Sequence, residues 1–97
     1  MTAETLIPID RLSSLYKVEI SFFFELSDSG LIPMKTIDQT NYIEEDEIVL
    51  LEKAVRLHKE LDINTAGIET IIHLLQKVER LQEELQNIQN RLKIYEE

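Results

Sequence analysis

Apolar residues at Ile71, Leu74, Val78, Leu81, Leu85, Ile88, Leu92 and Tyr95 recur at gaps that alternate three and four, with no glycine or proline among them. This is the a/d repeat of a coiled coil, sustained for more than three heptads. A single helix cannot cover such a stripe in water. The spacing therefore predicts a terminal helix that meets a copy of itself or another helix, with these residues as its dimerisation positions. The flanking e and g positions hold Lys77, Gln82, Glu84, Gln89 and Arg91, a mixture that specifies strand orientation only weakly.

A chain of 97 residues has room for one small domain besides that helix. The division falls at residues 1–67 for the domain and 68–97 for the coiled coil. Nineteen acidic residues against ten basic ones leave a formal net charge of −9. Nucleic-acid affinity comes largely from Lys and Arg displacing counterions, so this balance opposes a phosphate-rich partner and favours a basic protein surface. The absence of cysteine excludes disulfides and thiolate metal sites. Met1 to Ile7 contains no basic residue and no long apolar run, and no stretch is apolar enough to span a bilayer, so a cytoplasmic location is expected.

Along the domain, Ile9, Leu12, Leu15 and Tyr16 fit a short helix that starts after Pro8, a residue tolerated there because its missing N–H has no intrahelical partner. A turn at Lys17 and Val18 leads to a second helix from Glu19 to Ser29, ended by a left-handed Gly30. Beyond Pro33, Lys35 to Ile37 and Asn41 to Ile43 can pair as a hairpin, or wing, about Asp38, Gln39 and Thr40. Glu44, Glu45, Asp46 and Glu47 are read as the opening of a third helix, where the positive end of its dipole favours acids. Its core face comprises Ile48, Leu50, Leu51, Ala54, Val55, Leu57 and Leu61. After a break at Asp62 to Asn64 the fourth helix begins, capped by Asn64 or Thr65 with Ile63 as a hydrophobic staple. Ile68, Ile71, Ile72 and Leu75 are expected to pack on the domain before the stripe moves to the seam.

Two short helices, a wing, a third helix and a long terminal helix describe a winged helix-turn-helix domain with a dimerisation helix. The run Ala54, Val55, Arg56, Leu57, His58, Lys59, Glu60, Leu61, Asp62, Ile63, followed by Gly67, Ile68 and the heptads, resembles the MerR superfamily and, within it, the small chaperone-modulator branch, CbpM. The resemblance extends from Ile9 to Leu92. It implies a mainly α, MerR-like fold, antiparallel pairing of the terminal helix, and a regulator that binds the J-domain of a DnaJ/CbpA-like co-chaperone and holds it inactive. J-domains present a basic helix beside a His-Pro-Asp loop, the surface that Hsp70 requires.

The second helix tests that implication from its own residues. On a helical wheel Ile20, Phe23, Phe24 and Ser27 share a face suited to the core, which turns Phe22 and Leu26 outward beside Glu19 and Glu25. A helix that reads the major groove needs Arg, Lys, Asn or Gln there, and the wing offers Lys35 alone as a cation. Glu19, Phe22, Glu25 and Leu26, with Glu44, Glu45, Asp46 and Glu47, are accordingly the candidate partner-binding residues. Phe22 and Leu26 could instead be covered by the wing, the N-terminal segment or the dimer mate, and the acidic run could be a solvated helix start. The segment from Arg56 to Asp62 is a second possible contact surface through Arg56, Lys59, Glu60 and Asp62.

His58 and His73 lie on different helices without a second ligand at helical spacing, so no metal site is expected. No nucleophile and base are paired, no glycine-rich phosphate loop exists, and neither catalytic residues nor cofactors are expected. Two further classes remain open on sequence grounds. A MerR-type DNA-binding transcriptional regulator fits the architecture but is opposed by the charge, and a coiled-coil adaptor fits the seam but leaves the N-terminal domain without a role.

Overall fold

The computed structural model describes residues 5–96. The reading of the N-terminal segment rests partly on Met1 to Glu4, which lie outside the described residues. Strand β1 (Leu6–Pro8) leads through Pro8 directly into helix α1 (Ile9–Tyr16). Helix α2 spans Ile20–Asp28 and is followed by β2 (Lys35–Ile37) and β3 (Thr40–Glu44). A 3-10 turn at Glu45–Glu47 precedes α3 (Ile48–Leu61), and α4 runs from Thr65 to Glu96.

Local chemistry sets the ends of these elements. Gly30, at φ 83°, takes the left-handed conformation that its missing Cβ permits. The Leu31 amide then bonds the Leu26 carbonyl at 3.1 Å and the Gly30 amide bonds Ser27 at 3.0 Å, a paired arrangement that satisfies the last carbonyls of α2. Lys17 and Asp62 end α1 and α3 in the same left-handed region without a glycine's freedom. Asn64 caps α4, its Oδ1 accepting from the Gly67 amide at 2.9 Å. A Cβ on Gly67 would stand 2.7 Å from the Ile63 side chain, so a glycine here lets Ile63 close over the start of the helix.

The wing is a three-stranded antiparallel sheet of order β1-β3-β2. Its hairpin lies where the sequence placed it, but Thr40, read as the third turn residue, is the first residue of β3, so Ile37 stands opposite Thr40 across a two-residue turn of Asp38 and Gln39. Both turn residues have positive φ, 49° and 66°, as a two-residue turn between twisted strands demands. The third strand, β1, was not legible. Leu6 to Pro8 is too short for a periodicity, and it becomes a strand only because β3 stands beside it, with Ile7 opposite Ile43.

One reading of the acidic run is corrected. Glu44 is the last residue of β3, and Glu45, Asp46 and Glu47 form the 3-10 turn, so the acids precede α3 instead of filling its first turn. The reason is the sheet: the Glu45 amide bonds the Thr5 carbonyl at 2.9 Å, which holds the chain extended past the point where helix propensity would begin to act.

The core joins all layers. Ile9 and Leu12 of α1, Phe22, Phe23 and Leu26 of α2, Ile43 of the wing, Leu51, Ala54 and Val55 of α3, and Ile68 and Ile72 of α4 are buried together. Leu61 and Leu75, expected on the core face, are instead 64% and 51% exposed, because the domain ends beneath them. The first turns of α4 thus belong to the domain core, while every residue from His73 to Glu96 is exposed.

A left-handed conformation is costly for a residue with a Cβ, by roughly 1–2 kcal/mol. Replacing Gln39 by glycine is expected to raise stability by about 0.5–1 kcal/mol after the looser unfolded chain is counted. In a thermal melt this is a rise of roughly 2–8 °C.

Candidate functional site

Two exposed hydrogen bonds join α1 to α3 around Tyr16. Its hydroxyl donates to Glu52 Oε1 at 3.0 Å, and its backbone carbonyl accepts from Lys59 Nζ at 2.9 Å. Burial, then the hydrogen bond to Glu52 and the charge of that carboxylate, raise the Tyr16 phenol above its ordinary value of 10.0. The α1–α2 turn is closed by Ser13, which accepts the Val18 amide at 3.2 Å through its carbonyl and donates its hydroxyl to the Val18 carbonyl.

The orientation of α2 differs from the wheel reading by about one residue step. Phe22 and Leu26 are buried, at 3% and 1% exposure, and cannot be surface anchors in this conformation. Phe24, assigned to the core from its spacing, is 40% exposed. Three consecutive aromatics cannot all face one side, and the tertiary contacts decide which is left out. The His58 ring of α3 stacks on Phe22 at 4.9 Å between centroids, and Phe22 meets Phe23 edge-on at 6.0 Å. His58 is itself positioned by Nδ1 lying 3.0 Å from the Ile63 carbonyl. It is a packing residue of the domain.

What α2 does present is acidic. Ser21, Phe24, Glu25 and Asp28 are exposed, with Glu19 at the N-cap, and no Lys or Arg occurs between Lys17 and Lys35. Glu19 and Glu25 line an open cleft of about 610 Å³ whose walls also include Lys17, Phe22, His58, Lys59 and Asp62. The structure thereby unites part of the second candidate surface, Lys59 and Asp62, with the acids of α2. Glu44, Glu45, Asp46 and Glu47 lie outside this cleft, at the junction of β3 and α3, and Glu44 pairs with Lys35 at 2.6 Å. No group of three or more His, Cys, Asp or Glu among the described residues is arranged to hold a metal ion.

Chemically, the exposed face of α2 sets one aromatic side chain, Phe24, beside the carboxylates of Glu19, Glu25 and Asp28, and the adjoining cleft also carries Lys17 and Lys59. A second surface is the α4 seam. Leu74, Val78, Leu81, Leu85, Ile88, Leu92 and Tyr95 are between 47% and 86% exposed. Ile71, at the start of the stripe, is half-buried. No helix among the described residues is long and apolar enough to cross a membrane.

A helix-turn-helix closed by a small winged sheet and followed by a long helix defines the winged helix-turn-helix regulators. The chain matches the MerR helix-turn-helix regulatory proteins over residues 7–90 and belongs to that family. No curated protein and no solved structure matches it significantly.

Two measurements check this geometry. Phe22→Ala is expected to lower unfolding stability by about 3–5 kcal/mol in urea titration, as removal of a buried ring does. An exposed Phe22 would give a change near zero. In a variant whose other tyrosines, Tyr42 and Tyr95, are replaced by Phe, alkaline absorbance titration is expected to place Tyr16 above the ordinary tyrosine value. Glu52→Gln should lower that midpoint without abolishing the shift, since burial is the larger cause. Because the folded value is raised, the stability tied to Tyr16 is fully present below the ordinary tyrosine value and is lost as pH rises through the folded one.

Proposed function

We propose that this protein is a non-enzymatic, homodimeric cytoplasmic regulator that acts through protein contacts, binding the J-domain of a DnaJ/CbpA-like co-chaperone and holding it inactive. The observation that carries the reading is the solvent face of α2. In a DNA-binding member of this architecture that face enters the major groove, yet here it displays Glu19, Ser21, Phe24, Glu25 and Asp28. The acids match the basic helix of a J-domain, and Phe24 offers the aromatic anchor that such docking uses. The choice of a J-domain as partner rests on the resemblance to the chaperone-modulator branch. The homodimer rests on the exposed seam, because a helix unsupported over so many residues needs packing to persist.

A second reading, a MerR-type DNA-binding regulator, is favoured by the family match itself. The two separate cleanly. Calorimetric titration against the J-domain of the co-chaperone from the same source is expected to show binding that weakens with salt, together with loss of stimulated Hsp70 ATPase activity. Phe24→Ala should weaken binding by about tenfold or more while leaving the fold intact. Charge reversal at Glu19 and Glu25 should slow association and flatten the salt dependence. A gel shift with duplex DNA at moderate ionic strength should show no complex. Salt-sensitive DNA binding at micromolar protein, with no heat from the J-domain, would replace the first reading by the second.

A further inference from the structure

Five charged side chains line the cleft between α2 and the end of α3: Lys17, Glu19, Glu25, Lys59 and Asp62. None is ion-paired with another, and the ion pairs of the described residues, Lys35 with Glu44 and Arg56 with Glu60, lie elsewhere. The two lysines share one end of the cleft. Lys59 Nζ donates to the Tyr16 carbonyl at 2.9 Å, and Lys17 is the next residue of the chain. That bond fixes Lys59 and leaves its ammonium two further N–H groups to donate. The Lys17 ammonium has neither an ion pair nor a side-chain hydrogen bond among the described residues.

The backbone under Lys17 adds a second observation. It ends α1 in the left-handed conformation, at φ 57°, which a glycine adopts freely and a residue with a Cβ does not. A cation therefore stands at this end of the cleft against the local preference of the chain, and strain of that kind collects where a side chain has work to do. Glu19, the acid nearest in sequence, sits at the N-cap of α2, where the positive end of the helix dipole favours it.

We propose that this end of the cleft takes a carboxylate side chain of the protein partner, bound by the ammonium groups of Lys17 and Lys59. This rests on the reading of α2 as a protein-contact face and adds what that face selects, namely a basic surface that carries one acidic residue. The charges divide the task. Glu19, Glu25 and Asp28 attract basic surfaces in general and set the rate of encounter. A partner bearing cations alone would press them against Lys17 and Lys59 on docking, and that contact discriminates against it. A partner with a carboxylate at this point satisfies both lysines, and little ordering is needed at Lys59, which the Tyr16 carbonyl already holds. The stack of His58 on Phe22, 4.9 Å between centroids, fixes the end of α3 against α2 and so the width of the cleft. Two lysines against three acids leave the five charges at −1, so a run of phosphates would meet repulsion where a single carboxylate does not.

Calorimetric titration against the J-domain of the co-chaperone from the same source tests this with variants at Lys17. Lys17→Gly should weaken binding about threefold to tenfold while its melting temperature stays level or rises, because glycine relieves the left-handed backbone. Lys17→Arg, which keeps the charge, should bind nearly as the unsubstituted chain does. Lys17→Glu should weaken binding about tenfold or more although it makes an acidic protein more acidic. Were net charge alone to govern docking, Lys17→Glu would tighten the complex with a basic partner. Equal or tighter binding by Lys17→Glu would overturn the proposal and leave the J-domain reading in place. Lysine substitution at each exposed Asp and Glu of the J-domain is expected to reveal one position that weakens binding to the unsubstituted chain and restores binding to Lys17→Glu, a coupling that neither misfolding nor net charge produces. A scan without such a position would refute the carboxylate as occupant. Absence of heat with the unsubstituted chain would remove this proposal together with the reading on which it rests.

Discussion

Burial of Phe22, Phe23 and Leu26 from α2 beneath α3 and α4 is the contact on which the rest of this molecule depends. Phe23, Leu51, Ala54 and Ile68 are all fully buried and come from three different helices, so none of those helices can shift without opening the same core. The His58 ring closes over Phe22 from the end of α3. Because the chain past His58 must turn at once, through the left-handed Asp62, α4 departs with Ile68 and Ile72 in the core and its seam facing away. The direction of the terminal helix is therefore a consequence of how one aromatic segment packs.

That packing also decides the surface. A helix of nine residues carrying three phenylalanines can hide two and must show one. Showing Phe24 places an aromatic ring between Ser21 and Glu25 on the face where a DNA reader would carry cations. The acids of that face require no buried partner, and no charged or polar residue is buried among the described residues. The domain thus keeps an apolar interior and puts its electrostatic character on the outside, where it steers encounters and contributes little to stability.

Family membership and local surface point in different directions here, and the physical argument shows why both can hold. The architecture needs only the core pattern, the capped turns and the wing, all of which are satisfied by apolar and small residues. What the architecture contacts is set by a handful of exposed side chains that the fold does not constrain. Replacing cations by carboxylates and one ring on α2 leaves every core contact in place.

The sequence by itself determined several local features: the a/d spacing along α4, the Gly30 terminus of α2, a hairpin within residues 35–43, and a cap at Asn64 or Thr65. Each of these is a local matter of spacing or of one residue's conformational freedom, visible without neighbours. Only the tertiary structure decided which phenylalanine faces solvent, since a wheel ranks faces by count and cannot see His58 arriving from another helix. It alone made Leu6 to Pro8 a strand, because so short a segment is ordered by its partner. It also moved the acidic run out of α3, where the Thr5–Glu45 hydrogen bond outweighs helix propensity. The same reason underlies all three: contacts between residues distant in the chain are energetically larger than the local preferences they override.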